Sequence, residues 1–346
     1  KKFLKDHYKG YEKDVFSAFI DRDLAFSKPH GRLGFMSPFV WMFISSHEQL
    51  RTRLIDRETI TSLVQLEYSG FEGATVPICT FTLQQGHVNR QRGCFIRLSE
   101  FRGSDNQGPK TVEAIQNRDC EWFFEANQDD FKKIPGSPLA YWASNQSLRA
   151  FDQFPSLKSY AHPRQGMATT KNDLFLRYWG ECSRANLILP AEVSEESRAS
   201  GKWFACNKGG QFRKWYGNNE WVVNYENDGA TICEFIDSTP GVTVKSNGRV
   251  INRDRYFQEG GTWSSISSSL FSMRFSPPGF IFETKGPMCF PVDVNDTAPL
   301  VGLCNTSITN HFLKMVSPTL DYHEGPLGRI PVSPKMPSDA IAVAET

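Results

Sequence analysis

No run of about 18 uncharged apolar residues occurs in this sequence, so no helical membrane span is expected. Cysteine pairing is missing as well. The eight cysteines stand singly at 79, 94, 120, 182, 206, 233, 289 and 304, without a CxxC pair or a histidine at zinc-site spacing, so no metal centre is expected. Reduced thiols in a cytoplasm are the simplest reading. Neither sign of charge dominates: 39 Lys and Arg against 38 Asp and Glu leave a net +1, so attraction for a polyanion must come from local clusters. There is no repeat of solenoid length. The opening Lys1-Lys2-Phe3-Leu4-Lys5 lacks the order of a secretory signal and no Met precedes it, so the chain is expected to start inside a longer protein.

What is present describes globular protein. Apolar residues make up 39%, charged residues 22% and aromatics 13% of 346 residues, enough for two domains with a core each. Helical spacing from Phe3 to Phe26, with Val15, Phe16, Phe19 and Ile20 on one face, ends at Lys28-Pro29-His30-Gly31. The apolar run Arg32 to Pro38 predicts a buried strand. A helix at about Ser45–Leu54 and strands at Leu63–Tyr68 and Val76–Leu83 follow. Helix, strand, helix, strand, strand is the back half of a doubly wound α/β sheet, Rossmann-like and ending in a hairpin.

Residues 85–158 read as a connecting region of polar loops and short helices, including Val112–Asn117. Beyond Tyr160, glycine turns punctuate short strands such as Trp221–Tyr225 and Gly279–Phe282, which predicts a second, mainly β domain over 159–335 with one late helix at about Ala298–Val316. Residues 336–346 read as a tail.

Three linked segments carry a family resemblance. Asp14-Val15-Phe16-Ser17-Ala18-Phe19-Ile20, Lys28 through Pro38, and Phe71-Glu72-Gly73-Ala74-Thr75-Val76 resemble, in order and spacing, the later motifs of adenine-specific DNA methyltransferases. The wording Phe39-Val40-Trp41-Met42-Phe43-Ile44-Ser45-Ser46 is most similar to the BREX phage-defence type. The resemblance implies a back half of a methyltransferase domain at 1–84, S-adenosylmethionine as methyl donor and double-stranded DNA as substrate. It places Phe19 beside the adenine ring of the cofactor, Phe71 as the face that stacks on the flipped target base, and Ser37 and Pro38 in the pocket wall. Packing in the core competes as an explanation for Phe19, whereas a large apolar residue in a glycine-bearing loop such as Phe71 has less packing reason to be there.

The family's glycine-rich cofactor turn and its Asn/Asp-Pro-Pro-Tyr/Phe tetrapeptide are both missing from this sequence. The resemblance places them ahead of Lys1. The chain alone is therefore expected neither to methylate nor to bind S-adenosylmethionine well, and it holds no catalytic residue of that kind.

In Lys202 through Asn219, lysine and arginine alternate with aromatics around Gly209-Gly210 and no acidic residue interrupts. Cations there can neutralise phosphates while Asn or Arg side chains reach base edges, so Lys208, Arg213, Lys214, Trp215 and Asn218 are candidate DNA contacts, joined by Arg253 and Arg274. A solvated basic hairpin would share this composition. Flanking segments favour the nucleic-acid reading. Gln165 through Phe175 resembles the beginning, and Gly302 through Leu320 with Arg329-Ile330-Pro331 the end, of target-recognition regions in Type IIG enzymes and Type I specificity subunits.

Other signals are weaker. Eight tryptophans could suit a sugar-binding enzyme, yet no carboxylate pair can be placed. No Gly-x-Ser-x-Gly elbow surrounds Ser265–Ser269, and His162, His311 and His323 read as loop or helix-end residues. An alternative of a different class is a stand-alone DNA- or protein-binding module. Beside double-stranded DNA, other BREX proteins and a phage DNA-mimic inhibitor are candidate partners.

Overall fold

A computed structural model describes residues 2–71, 73 and 76–333. Glu72, Ala74 and Thr75 of the third motif and the expected tail at 336–346 lie outside the described residues. The chain forms two compact units, Lys1–Gln153 and Phe154–Thr346.

In the first unit, β1 (Arg32–Pro38), β2 (Glu58–Gln65), β3 (Ile78–Gln85), β4 (Arg92–Arg97) and β5 (Phe123–Asn127) form one sheet in the order β1-β3-β2-β4-β5. The expected β2-β3 antiparallel pair is present, but β3 lies between β1 and β2 and runs against both. β4 then continues parallel to β2. This corrects the expected boundary at 84: β4 and β5 belong to the first sheet, and residues as far as Gln153 close its core. Phe95, Phe131, Leu139 and Tyr141 pack with Ile20, Trp41, Leu54 and Phe81 on one face, while Ile96, Leu98, Ala114 and Cys120 form a second cluster on the other.

The first expected helix is two, Lys2–His7 and Val15–Phe26, parted by a turn at Gly10 (φ 93°) and restarted by Asp14, whose carboxylate accepts from Val15 N–H. The buried stripe of the longer helix is Ser17, Ile20 and Leu24, which turns Val15 and Phe19 to solvent rather than into the core. β1 is not a buried strand. It is the sheet's edge among the described residues, with Leu33 and Phe35 only half-covered and Met36 exposed.

One buried cation organises the loop after β1. Arg51 is fully buried on the helix Glu48–Arg57 and donates to Trp41 O at 2.8 Å, Ile44 O at 3.1 Å and, through Nε, Gly136 O at 3.0 Å. Its planar fork thus ties Phe39–Ser46 to the segment that carries Tyr141.

The second unit holds two sheets. One has β9 (Trp203–Asn207) flanked by β10 (Trp221–Asn224) and β13 (Ile281–Phe282), with β7 (Leu176–Tyr178) beyond β10 and β8 (Leu187–Ile188) beside β9. The other runs β12 (Met273–Ser276), β11 (Gly260–Trp263), β14 (Met288–Pro291), β6 (Ala161–Arg164). Phe204, Val223, Tyr225, Phe282 and Phe290 fill a common core.

The late helix is two as well, Thr297–Cys304 and Ser307–Val316, because Asn305 has a tertiary task. Its amide accepts from Met273 N–H at 3.0 Å and donates to Met273 O at 2.8 Å, and Asn310 pairs with Phe271 in the same way. Two side chains thereby satisfy the backbone along the outer edge of β12. The leading segment is equally built in. A Cβ on Gly166 would lie 2.1 Å from Phe282 O, so only glycine lets Met167 pair with the end of β13. Among the described residues no helix is long and apolar enough to cross a membrane.

Candidate functional site

Strand register brings a polar row to one end of the first sheet. Ser37 of β1 faces Cys79 of β3, Cys79 faces Gln65 of β2, and Gln65 faces Arg97 of β4. The matching row two residues inward, Phe35, Phe81, Leu63 and Phe95, is wholly apolar. Tyr141 caps the polar row by donating its hydroxyl to Gln65 Oε1 at 2.7 Å, and Trp142 lies under the Arg97 guanidinium at 4.2 Å. Burial pushes the Cys79 thiol up to about 12 and raises Tyr141 as well, so both stay protonated at neutral pH and neither serves as a base. Ser37 is buried and donates to Pro38 O at 3.3 Å.

The loop from β2 to β3 leaves at this same end. Glu67 anchors its base, accepting from Ser69 N–H at 3.0 Å, Ser69 O–H at 2.6 Å and Gly103 N–H at 3.4 Å, while Gln107 accepts from Glu67 N–H at 3.0 Å. Phe71 in this loop is 46% exposed, and Phe19 on the helix is 61% exposed. Core packing therefore accounts for neither ring. The structure brings Ser37, Pro38 and the Phe71 loop to one sheet end. Sequence reasoning missed Gln65, Cys79, Arg97, Tyr141 and Trp142, which become visible only once register is known.

For S-adenosylmethionine the fit is incomplete. Phe19 offers one ring face, and the sequence supplies no glycine-rich turn whose amides could meet the donor. These residues do not make a cofactor site by themselves.

In the second unit the expected DNA contacts separate. Arg213 and Trp215 face solvent, with Phe212 and Tyr216 exposed beside them. The loop that carries them is stapled down: Trp215 N–H donates to Met273 O at 3.0 Å and Trp215 O accepts from Phe275 N–H at 2.7 Å. Lys208 is half-buried, its Nζ 3.8 Å from the centre of the Trp221 ring, which packs 4.2 Å from the ring of exposed Tyr178. Lys214 donates to Asn305 O at 3.0 Å, at the end of a helix.

Three candidates have internal tasks instead. Asn218 is 5% exposed and donates to Gln211 O at 2.9 Å, closing the loop. Arg253 donates to Tyr225 Oη at 3.0 Å and to Asp228 O. Arg274 is 1% exposed under the Trp215 loop, and burial pulls its guanidinium down to about 10. Direct contact with a duplex is closed to Asn218 and Arg274 in this conformation.

The model of the Eco57I restriction-modification methylase family matches residues 1–71. The adenine-specific methyltransferase PglX of Lacticaseibacillus casei (strain Zhang) is 32% identical over 352 residues, covering 100% of this chain. The chain belongs to the family of BREX-type adenine-specific methyltransferases. The similar protein BrxX of Escherichia coli O9:H4 (strain HS) is 32% identical over 96% of the chain. The chain spans 29% of the length of PglX and 26% of BrxX. The fold of the Type IIL restriction-modification enzyme MmeI, solved in complex with DNA, is similar at a TM-score of 0.56 and 11% identity, covering 93% of this chain and 40% of that one. The expected fold class, an α/β methyltransferase-like part followed by a β-rich part, is what is found.

Proposed function

We propose that the full-length protein transfers a methyl group from S-adenosylmethionine to adenine in duplex DNA, as part of a phage-defence system that marks its own DNA. In this reading the first unit walls the target-base pocket and the second reads sequence. The observation that supports it best is the exposed Phe71 ring, held by an anchored loop at the sheet end where Ser37 and Pro38 lie. A flipped base needs such a face, because stacking holds the ring without competing for its exocyclic amine. PglX and BrxX are named as adenine-specific methyltransferases and MmeI was solved with DNA, which supports the same substrate here. We assign the remaining cofactor contacts, and the strands that would continue beyond β1, to the part of those relatives that this chain does not span. Further BREX proteins and a DNA-mimic inhibitor are proposed partners on the sequence resemblance alone.

The test is incubation of the full-length protein with labelled S-adenosylmethionine and duplex DNA, with the label located base by base. Label on adenine within one sequence is expected, and label on cytosine overturns the reading. The isolated chain of 346 residues should transfer no methyl group and show no micromolar binding of the donor by calorimetry. A micromolar dissociation constant would place the donor site within this chain.

For the second unit, Arg213→Ala should weaken binding to all sequences about equally and flatten the slope of log affinity against log salt by roughly one. Lys214→Ala should lower thermal stability by about 1 kcal/mol, through the lost bond to Asn305 O, and move the salt slope less. Binding isotherms at two salt concentrations together with melts separate the two. Equal effects of both substitutions on the slope would return Lys214 to the DNA surface.

A further inference from the structure

We propose that Arg97 is a phosphate-binding residue that holds the DNA backbone beside the flipped adenine. The proposal rests on the methyltransferase reading above and adds to it a residue outside the family motifs. Arg97 ends β4 at the sheet end where the Phe71 loop opens, since its register partner Gln65 is the last residue of β2. Its guanidinium carbon lies 4.2 Å from the centre of the Trp142 ring, and its Nε is buried without a hydrogen-bond partner. Three other arginines of this unit pair with carboxylates, Arg53 with Asp21 and Arg92 and Arg118 with Glu125, and the buried Arg51 is held by carbonyls. Arg97 has no carboxylate partner among the described residues.

A half-buried cation that has given up part of its hydration and has no counter-charge is costly unless an anion arrives. A guanidinium placed over an indole face can still turn its two terminal nitrogens to an anion, and that pair matches two oxygens of a phosphodiester. The anion that the methyltransferase reading brings to this end of the sheet is the strand carrying the base that Phe71 stacks. Each nucleotide of that strand presents a phosphodiester on either side.

The experiment uses the full-length protein and target-site duplexes in which one phosphate at a time is replaced by a neutral methylphosphonate. At one position next to the target adenine, the replacement should lower wild-type affinity about tenfold or more. Arg97→Gln should lower affinity for the unmodified duplex by a similar factor, flatten the salt slope by about one and be insensitive to the methylphosphonate at that position. Arg97→Lys should restore the slope, which loss of packing on Trp142 alone would not allow. The methylphosphonate comparison is made within each variant, so a lowered melting temperature does not imitate the result. An Arg97→Gln protein that keeps wild-type affinity, or that remains sensitive at every position, overturns the proposal. The base that receives the methyl group is scored separately. Arg97-dependent sensitivity with label off adenine overturns the adenine reading alone, and no duplex binding by the wild type overturns both.

Discussion

Replacing Arg51 with Met should cost the first unit about 3–5 kcal/mol, because the carbonyls of Trp41, Ile44 and Gly136 would lose donors inside the protein. Each buried acceptor left unmade costs about 1–3 kcal/mol, and a whole domain is stable by only about 5–15. For a unit of this size the loss corresponds to a fall in melting temperature of roughly 10 °C. Amide exchange in β2 and β3 should accelerate together, since Leu50, Leu54 and Ile55 of the same helix pack on the sheet's core cluster. Arg51→Lys should recover only part of the stability, because one ammonium cannot reproduce a planar fork spread over three carbonyls. A melting temperature for Arg51→Met within about 1 °C of wild type would mean that the loop after β1 is held by its apolar contacts alone.

That loop also shows where sequence was informative. Trp41, Met42 and Phe43 read as apolar wording shared with a family, and all three are core residues. Their constraint comes from Arg51, which the helical pattern at Ser45–Leu54 did not single out. Period and composition gave the helices and strands near their observed places. They could not give strand order, because a hairpin pattern says that β2 and β3 are adjacent but not that β1 joins the far side of β3. β4 and β5 escaped notice because Arg92-Gly93-Cys94-Phe95-Ile96-Arg97 is short and carries arginine at both ends. The helix face was misjudged by a rotation: the buried stripe centres on Ser17, Ile20 and Leu24, so Phe16 lies at its margin and Phe19 faces solvent. Ser17, buried beside Ile20 and Leu24, is polar and hydrogen-bonds to His47 at 3.0 Å.

The second unit shows the same limit in another form. A basic stretch identifies a surface by its average, whereas burial acts residue by residue. Arg213 and Arg274 are both arginines with electrostatic influence on each other, yet one is exposed and the other is sealed beneath the loop. Asn305 and Asn310 lie in a segment that resembles the end of a recognition region. Their side chains pair with Met273 and Phe271, so that wording records how an edge strand is closed rather than how a base is read.

Phe71→Ala in the full-length protein should slow methyl transfer by about 10- to 100-fold, the equivalent of one lost base-stacking contact of about 1–3 kcal/mol. Duplex affinity should change far less, because stacking acts only after the duplex is engaged and the base has left the helix. The site's geometry makes the substitution selective. The Phe71 ring is exposed, while Glu67, Ser69 and Gln107 hold the loop's base through bonds that the truncation leaves intact. Stability should therefore stay within about 0.5 kcal/mol of wild type, as for a surface substitution. Phe71→Trp should retain most of the rate, since any large π-face can take the role. A duplex with 2-aminopurine at the target position reports the step directly: its fluorescence rises when the base leaves the stack, and the Ala variant should show a weaker and less persistent rise. An unchanged rate and an unchanged flipping signal in Phe71→Ala would remove the ring from the chemistry. The polar row of Ser37, Cys79, Gln65 and Arg97 would then have to be judged without it.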